Sequence, residues 1–225
     1  MCKHLVSALT SIIFCICVFP FGAFATEAHT LPPVVGPELA PMTYENAPTG
    51  ELEESSDELL NYYLSLDIWD DTWYSLETVR TLLTEDITQP TVLTDDQLDS
   101  MLFGDMKGYK TLYKSCEDQY DVNEKFFCAL IAMETGHMTS DLWLRNNNAG
   151  GVTCSNGYNS YASPEEGIVA LAKLLQNQYL SPDGAYYSGR TDVIGIAQHY
   201  NTNPEWLKLY VEVRILQEKC LGGIV

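Results

Sequence analysis

One carboxylate stands where the chain should place a hydrocarbon. Phe127, Leu130 and Ile131 recur at i, i+3 and i+4 of a helical stripe, and its next member, at i+7, is Glu134. A carboxylate on an apolar stripe is costly to ionise, so its pKa is expected to rise towards neutrality. That is the environment of a general acid, such as one that protonates a departing glycosidic oxygen. The same spacing also fits a helix-end glutamate turned out to water. Thr135-Gly136, Thr139-Ser140 and the polar run from Asn146 through Asn147, Asn148 and Ala149 to Gly150 and Gly151 follow directly. Asn and Gly adopt positive φ at little cost, so this run reads either as a plain turn or as a loop shaped around the acid.

The elements that must position Glu134 are helical. Asp121 or Asn123 is expected to start its helix and Gly136 to stop it. Upstream, Thr94-Asp95-Asp96-Gln97 has the form of a capping box for a short helix through Leu98 and Leu102. A further helix is expected from Gly108 to Tyr120. Residues 146–162, with Tyr158 and Tyr161, suit a short β-hairpin or an irregular loop. Ser163-Pro164-Glu165-Glu166 opens the next helix, with Ser as N-cap, Pro at the first position and Glu166 at the third. Thr191 is expected to cap a helix ending near His199-Tyr200, and Asn203-Pro204 to open the last one, which carries Trp206, Leu207, Tyr210, Val211 and Arg214. The fold class is α+β, mostly α-helical, with a minor β-hairpin.

Around this core the chain of 225 residues is uneven. Residues 1–25 read as a signal peptide: Lys3, an apolar run from Leu5 to Phe19, breakers at Pro20 and Gly22, and Ala23-Phe24-Ala25 before Thr26. An uncleaved anchor is the competing reading, because the apolar run approaches spanning length. The first reading predicts secretion. Residues 26–56 have no apolar period and read as a disordered acidic leader. Residues 57–93 read as a short helical acidic extension, and residues 94–225 as the main domain. Residues 26–106 hold 18 acidic side chains against Arg80 alone, a net of −17. No cluster of Lys and Arg offers a nucleic-acid surface, so nucleic acid is excluded as a partner.

Cys116, Cys128, Cys154 and Cys220 remain after the signal segment. In an exported chain they predict two disulfides with three possible connectivities, of which Cys116–Cys220 and Cys128–Cys154 are favoured. Zinc fares poorly as the rival, because there is no C-x-x-C or H-E-x-x-H. No metal or other cofactor is called for.

Several pieces, in consistent order over residues 94–218, resemble a known family. Asp121-Val-Asn-Glu, then Ala129-Leu-Ile-Ala-Met-Glu-Thr-Gly, then Thr139-Ser140 and Asn147-Asn148 look like the glucosaminidase domain of bacterial cell-wall hydrolases. Tyr158-Asn-Ser-Tyr-Ala-Ser-Pro-Glu-Glu-Gly-Ile is similar to its aromatic segment and capped helix. His199-Tyr200-Asn-Thr-Asn-Pro-Glu-Trp resembles its closing element. The resemblance implies a lysozyme-like catalytic domain, an endo-β-N-acetylglucosaminidase that cuts the β-1,4-linked glycan strands of peptidoglycan, acting as a monomer at the cell wall. Glu134 matches the catalytic acid and Tyr200 an aromatic implicated in catalysis. Asn147, Asn148, Gly150 and Gly151 match the cleft floor. Tyr158 and Tyr161 either stack on sugar faces or pack the hairpin. His137 either lines the cleft or lies on the surface. The helix start explains Glu165 and Glu166 without a catalytic role.

One departure matters. Many members of that family carry a second acidic residue in the β region, whereas residues 146–164 here contain no Asp or Glu. A carboxylate nucleophile close in sequence is therefore unsupported. Asp141, the nearest acid, is better explained as a cap or surface charge. Assistance by the substrate's N-acetyl group, or attack by water held by Tyr200 and the Asn residues, would make this a single-carboxylate enzyme. A lytic transglycosylase is the second expectation, although the Gly-Leu-Met-Gln segment expected of it is missing. A non-catalytic glycan-binding module is the third. The acidic leader is expected to limit adhesion to the anionic wall, as a spacer or as a brake on activity.

Overall fold

Phe126, Phe127, Cys128, Ala129, Leu130, Ile131 and Ala132 are seven apolar residues in succession, which point to every side of one helix and commit its middle to the centre of the fold. In the computed structural model, whose described residues are 56–223 apart from Asn156, all seven are buried. The predicted signal peptide and all but the last residue of the predicted leader lie outside the described residues. The elements run α1 (Ser56–Leu64), α2 (Leu76–Thr84), α3 (Asp95–Met101), a 3-10 turn (Gly104–Tyr109), α4 (Lys110–Tyr120), α5 (Glu124–Thr135) and α6 (Asp141–Asn146). A two-stranded antiparallel hairpin follows, β1 (Thr153–Cys154) and β2 (Gly157–Tyr158), with Thr153 opposite Tyr158 and Cys154 opposite Gly157. Then come α7 (Pro164–Leu174), which continues as a π-helical segment (Leu175–Leu180), α8 (Val193–Tyr200) and α9 (Pro204–Cys220). The mostly helical fold with one small hairpin expected from the sequence is the observed one.

Local chemistry sets the boundaries. Asn123 caps α5 by accepting from the Phe126 N–H at 3.0 Å, and Gly136 ends it in the left-handed conformation at φ 56°. Thr94 and Gln97 form the expected reciprocal capping box on α3. Ser163 caps α7 with Pro164 at its first turn, and Asn203 caps α9 in the same manner. The cap of α8 is Asp192, one residue beyond the expected Thr191. Its Oδ1 accepts from the Gly195 N–H at 2.9 Å, and Arg190 neutralises the carboxylate.

Helix α9 lies along α5, with Tyr210 against Phe126 at a centroid distance of 5.8 Å. Full burial of side chains of this size contributes about 1.5–3 kcal/mol each. Residues 57–93 pack into the same core. Val79, Leu83 and Ile87 are completely buried. The Ile87 N–H donates to the Thr191 carbonyl at 2.9 Å, and the Ile87 carbonyl accepts from the Asn123 N–H at 2.7 Å, so this segment ties the starts of α5 and α8 together. Glu85 reaches the buried Arg214 guanidinium of α9 at 2.9 Å, and Glu218 meets the same group at 3.2 Å.

The expected disulfides are not formed. Cys116 and Cys128 fill core positions as small apolar side chains, and burial pushes the Cys116 thiol up to about 11 and raises that of Cys128 as well. No disulfide links them to Cys154 in β1 or to Cys220 at the end of α9. Among the described residues no His, Cys, Asp and Glu side chains are grouped to hold a metal ion, and no helix is long and apolar enough to cross a membrane.

Candidate active site

Glu134 occupies the last turn of α5, where the helix leaves the core and Thr135 begins to turn the chain. The Thr135 hydroxyl donates to the Ile131 carbonyl and accepts from the Met138 N–H at 2.8 Å, which fixes the turn behind the acid. Glu134 is half-buried as a whole residue. Protein nevertheless surrounds it densely, and desolvation raises its pKa from 4.5 to about 7. One hydrogen bond acts in the opposite direction: the Trp206 indole N–H donates to Oε1 at 2.9 Å. No charged side chain among the described residues contributes to the shift. A carboxylic acid of this kind keeps its proton near neutrality and can still surrender it.

The Asn-Gly run builds the wall beside the acid. Gly151 adopts φ 62°, and a Cβ there would lie 3.3 Å from Glu134 Oε2, so the loop backbone passes directly against the carboxyl group. Gly150 is required by crowding. A Cβ at that position would sit 2.4 Å from Leu171 and 2.9 Å from the Tyr200 hydroxyl. The Tyr200 O–H donates to the Gly150 carbonyl at 2.7 Å and thereby clamps the loop from α8.

Asn148 is completely enclosed and engaged with its own loop. Its Nδ2 donates to the Val152 and Asn159 carbonyls at 2.8 and 3.0 Å, and its Oδ1 accepts from the Val152 N–H at 2.9 Å. Asn147 sits in the left-handed region at φ 51°, and its Nδ2 donates to the Tyr161 carbonyl at 2.9 Å. These two residues shape the loop from within, and the amide of Asn148 has no bonding capacity left for a ligand. Gly167 of α7 admits the close approach, since a Cβ there would fall 1.7 Å from the Asn147 carbonyl oxygen.

Tyr158 and Tyr161 differ in exposure. Tyr158 is 56% exposed at the hairpin, open to a ligand. Tyr161 is half-buried and packs towards Gly167, so it joins hairpin to helix. His137 is half-buried at φ 58°, edge-on to Phe103 at 5.9 Å, and burial lowers its pKa. Ser140 caps α6, so Asp141 is the first residue of that helix, where it forms an exposed pair with Arg145.

The residue to which sequence reasoning gave no role beyond its place on the last helix and in the closing element is Trp206. It is nearly buried, with its ring between Tyr200 at 5.7 Å and Tyr210 at 6.4 Å, the latter pair stacked at 14°. Its signal was present in the segment that places it two residues after the helix-opening Pro204. An indole there must find an acceptor for its N–H when buried.

Residues 110–214 match the family model described as "Glucosaminidase: Mannosyl-glycoprotein endo-beta-N-acetylglucosaminidase". This segment is similar to a glucosaminidase domain. Among solved structures, the chain is similar to S. aureus Autolysin E in complex with the muropeptide NAM-L-Ala-D-iGlu, at 15% identity and TM-score 0.54, covering 74% of this chain and 90% of that one. A catalytic mutant of the same autolysin in complex with the disaccharide NAG-NAM aligns at 15% identity and TM-score 0.54, covering 74% and 91%. Autolysin E itself aligns at 14% identity and TM-score 0.54, covering 75% and 80%. At such identity the likeness speaks for a shared fold. No curated protein sequence matches this chain.

Proposed function

We propose that this protein is an exported peptidoglycan hydrolase, an endo-β-N-acetylglucosaminidase that cleaves β-1,4 bonds of the glycan strand with Glu134 as general acid. The observation that carries this reading is a carboxyl group in the last turn of a buried helix, raised to about 7 by desolvation and held by one indole N–H. The similarity to a glucosaminidase domain supports the reaction class. The likeness to an autolysin whose structures hold a muropeptide and the NAG-NAM disaccharide supports the substrate. The sequence of residues 1–25 supports export to the compartment where that substrate lies.

In this mechanism the protonated Glu134 donates to the leaving glycosidic oxygen as the bond breaks. Among the described residues no second carboxyl group acts on its titration, and residues 146–164 contain no Asp or Glu. In this reading the opposite face of the sugar is attacked by the substrate's own N-acetyl oxygen, or by water. Tyr200, whose hydroxyl is committed to the Gly150 carbonyl, acts by holding the loop against the acid. The exposed Tyr158 offers a stacking face to a neighbouring sugar.

The test is digestion of purified peptidoglycan followed by mass spectrometry of the released muropeptides. Reducing GlcNAc ends are expected. Anhydro-muramyl ends would instead identify a lytic transglycosylase, the reading that a lone carboxyl group also allows. Binding to insoluble wall with no soluble product would identify a non-catalytic module.

A further inference from the structure

The structure assigns a second residue to the reaction: we propose that Trp206 is a positioning residue which keeps the transferable proton of Glu134 on Oε2. The inference rests on the reading of Glu134 as the general acid. An indole N–H is a donor and never an acceptor. With that N–H directed at Oε1 at 2.9 Å, Oε1 is kept as an acceptor, and a proton placed on it would face another donor. The acid's hydrogen is therefore confined to Oε2, the oxygen beside the Cβ-free Gly151. Which oxygen delivers the proton then depends on a side chain 72 residues away in sequence.

Trp206 is built to hold that position. Asn203 caps α9 and Pro204 sets its first turn, so the helix begins immediately before the indole. Tyr200 and Tyr210 flank the ring at 5.7 and 6.4 Å, and only 7% of the residue is exposed, which leaves the indole no room to turn away. Among the groups facing Glu134, α8 presents the Tyr200 phenol, whose O–H is committed to the Gly150 carbonyl, and α9 presents Trp206. The loop presents the Gly151 backbone. His137, beyond the end of α5, lies against Phe103. Trp206 is thus the only side chain whose hydrogen bond to the Glu134 carboxyl group the described residues show acting on its titration.

The same bond persists after proton transfer and stabilises the carboxylate left behind, as hydrogen bonds to an ionised acceptor do. Removing it should make Glu134 a weaker acid and leave its proton free to occupy either oxygen. The test is Trp206→Phe, which keeps an aromatic ring between the two tyrosines and removes the N–H together with part of the indole's volume. Measured on peptidoglycan fragments across pH, kcat is expected to fall about tenfold or more, with KM within about twofold, and the basic limb of the kcat profile should move upward by roughly one pH unit. A folded Trp206→Phe protein with an unmoved basic limb would overturn the proposal, because a packing role predicts no such shift.

A second measurement uses the unaltered protein and requires no activity. Of the indole N–H signals of Trp69, Trp73, Trp143 and Trp206, one should shift with the Glu134 titration, with a midpoint near pH 7, and should lose that titration in Glu134→Gln. If no indole signal follows Glu134, the proposal fails even where Trp206→Phe does not fold. If Glu134→Gln retains full turnover, the general-acid reading fails while the titration still tests the Trp206 contact.

Discussion

Replacing Glu134 by Gln should make the protein more stable, and by an amount that depends on pH. Folding raises this carboxyl group from 4.5 to about 7, so between those values the folded protein holds a proton that the unfolded chain has released. The group's contribution to stability is whole in acid and is lost as pH climbs through the unfolded and then the folded pKa. A rise of that size corresponds to about 3 kcal/mol once both forms are ionised. Gln mimics the protonated acid: its carbonyl oxygen can accept from Trp206, and its amide adds no charge. The linkage relation gives a stability gain for Glu134→Gln of about 1 kcal/mol at pH 5 and about 3 kcal/mol at pH 8.5. The difference, about 2 kcal/mol, corresponds to roughly 4–8 °C in Tm for a chain of this size. Glu124 is also buried and raised to about 7, but it titrates equally in both proteins and cancels. Urea denaturation of the two proteins at pH 5 and pH 8.5 measures the quantity directly. A stability difference that stays constant with pH would refute the reasoning, because Glu134 would then ionise like any exposed glutamate.

Other perturbations test the supports of the site. Gly150→Ala should lower stability by about 1–3 kcal/mol and reduce turnover, since its Cβ would overlap Leu171 and the Tyr200 hydroxyl; thermal melting and lysis assays check both. Tyr200→Phe removes the donor to the Gly150 carbonyl and should cost about 1–3 kcal/mol, with kcat reduced and the pH limbs of activity unmoved. A fragment of residues 94–225 should fail to fold cooperatively by circular dichroism, because it lacks Val79, Leu83, Ile87 and the Glu85 partner of Arg214. Thiol titration after denaturation without reductant should find Cys116, Cys128 and Cys154 reactive.

What could be read from the sequence was mostly local. The caps Thr94, Asn123, Ser163 and Asn203 were legible because each is a side chain bonding to backbone two or three residues away. The position of Glu134 on a hydrophobic stripe was legible because helical period alone places it there. Thr191 and Asp192 are adjacent residues that can both cap a helix, and Asp192, the stronger capping residue, is the one that bonds the Gly195 N–H. Long-range facts were not legible. Trp206 meets Glu134 across 72 residues, and residues 57–93 join the core through Ile87, whose partners Thr191 and Asn123 lie far along the chain. Asn148 had the side chain of a ligand-binding residue, and only the path of its own loop shows its amide bonded to Val152 and Asn159. The disulfide expectation followed from a compartment argument, and the structure places Cys116 and Cys128 in the core as thiols.

The most direct test of the proposed mechanism is the rate of reducing-end release from purified peptidoglycan near pH 6 by the unaltered protein and by Glu134→Gln, each shown to be folded by its melting curve. Loss of the proton donor predicts a fall of about a hundredfold or more in the variant. Release within threefold of the unaltered rate by a folded Glu134→Gln protein would contradict it.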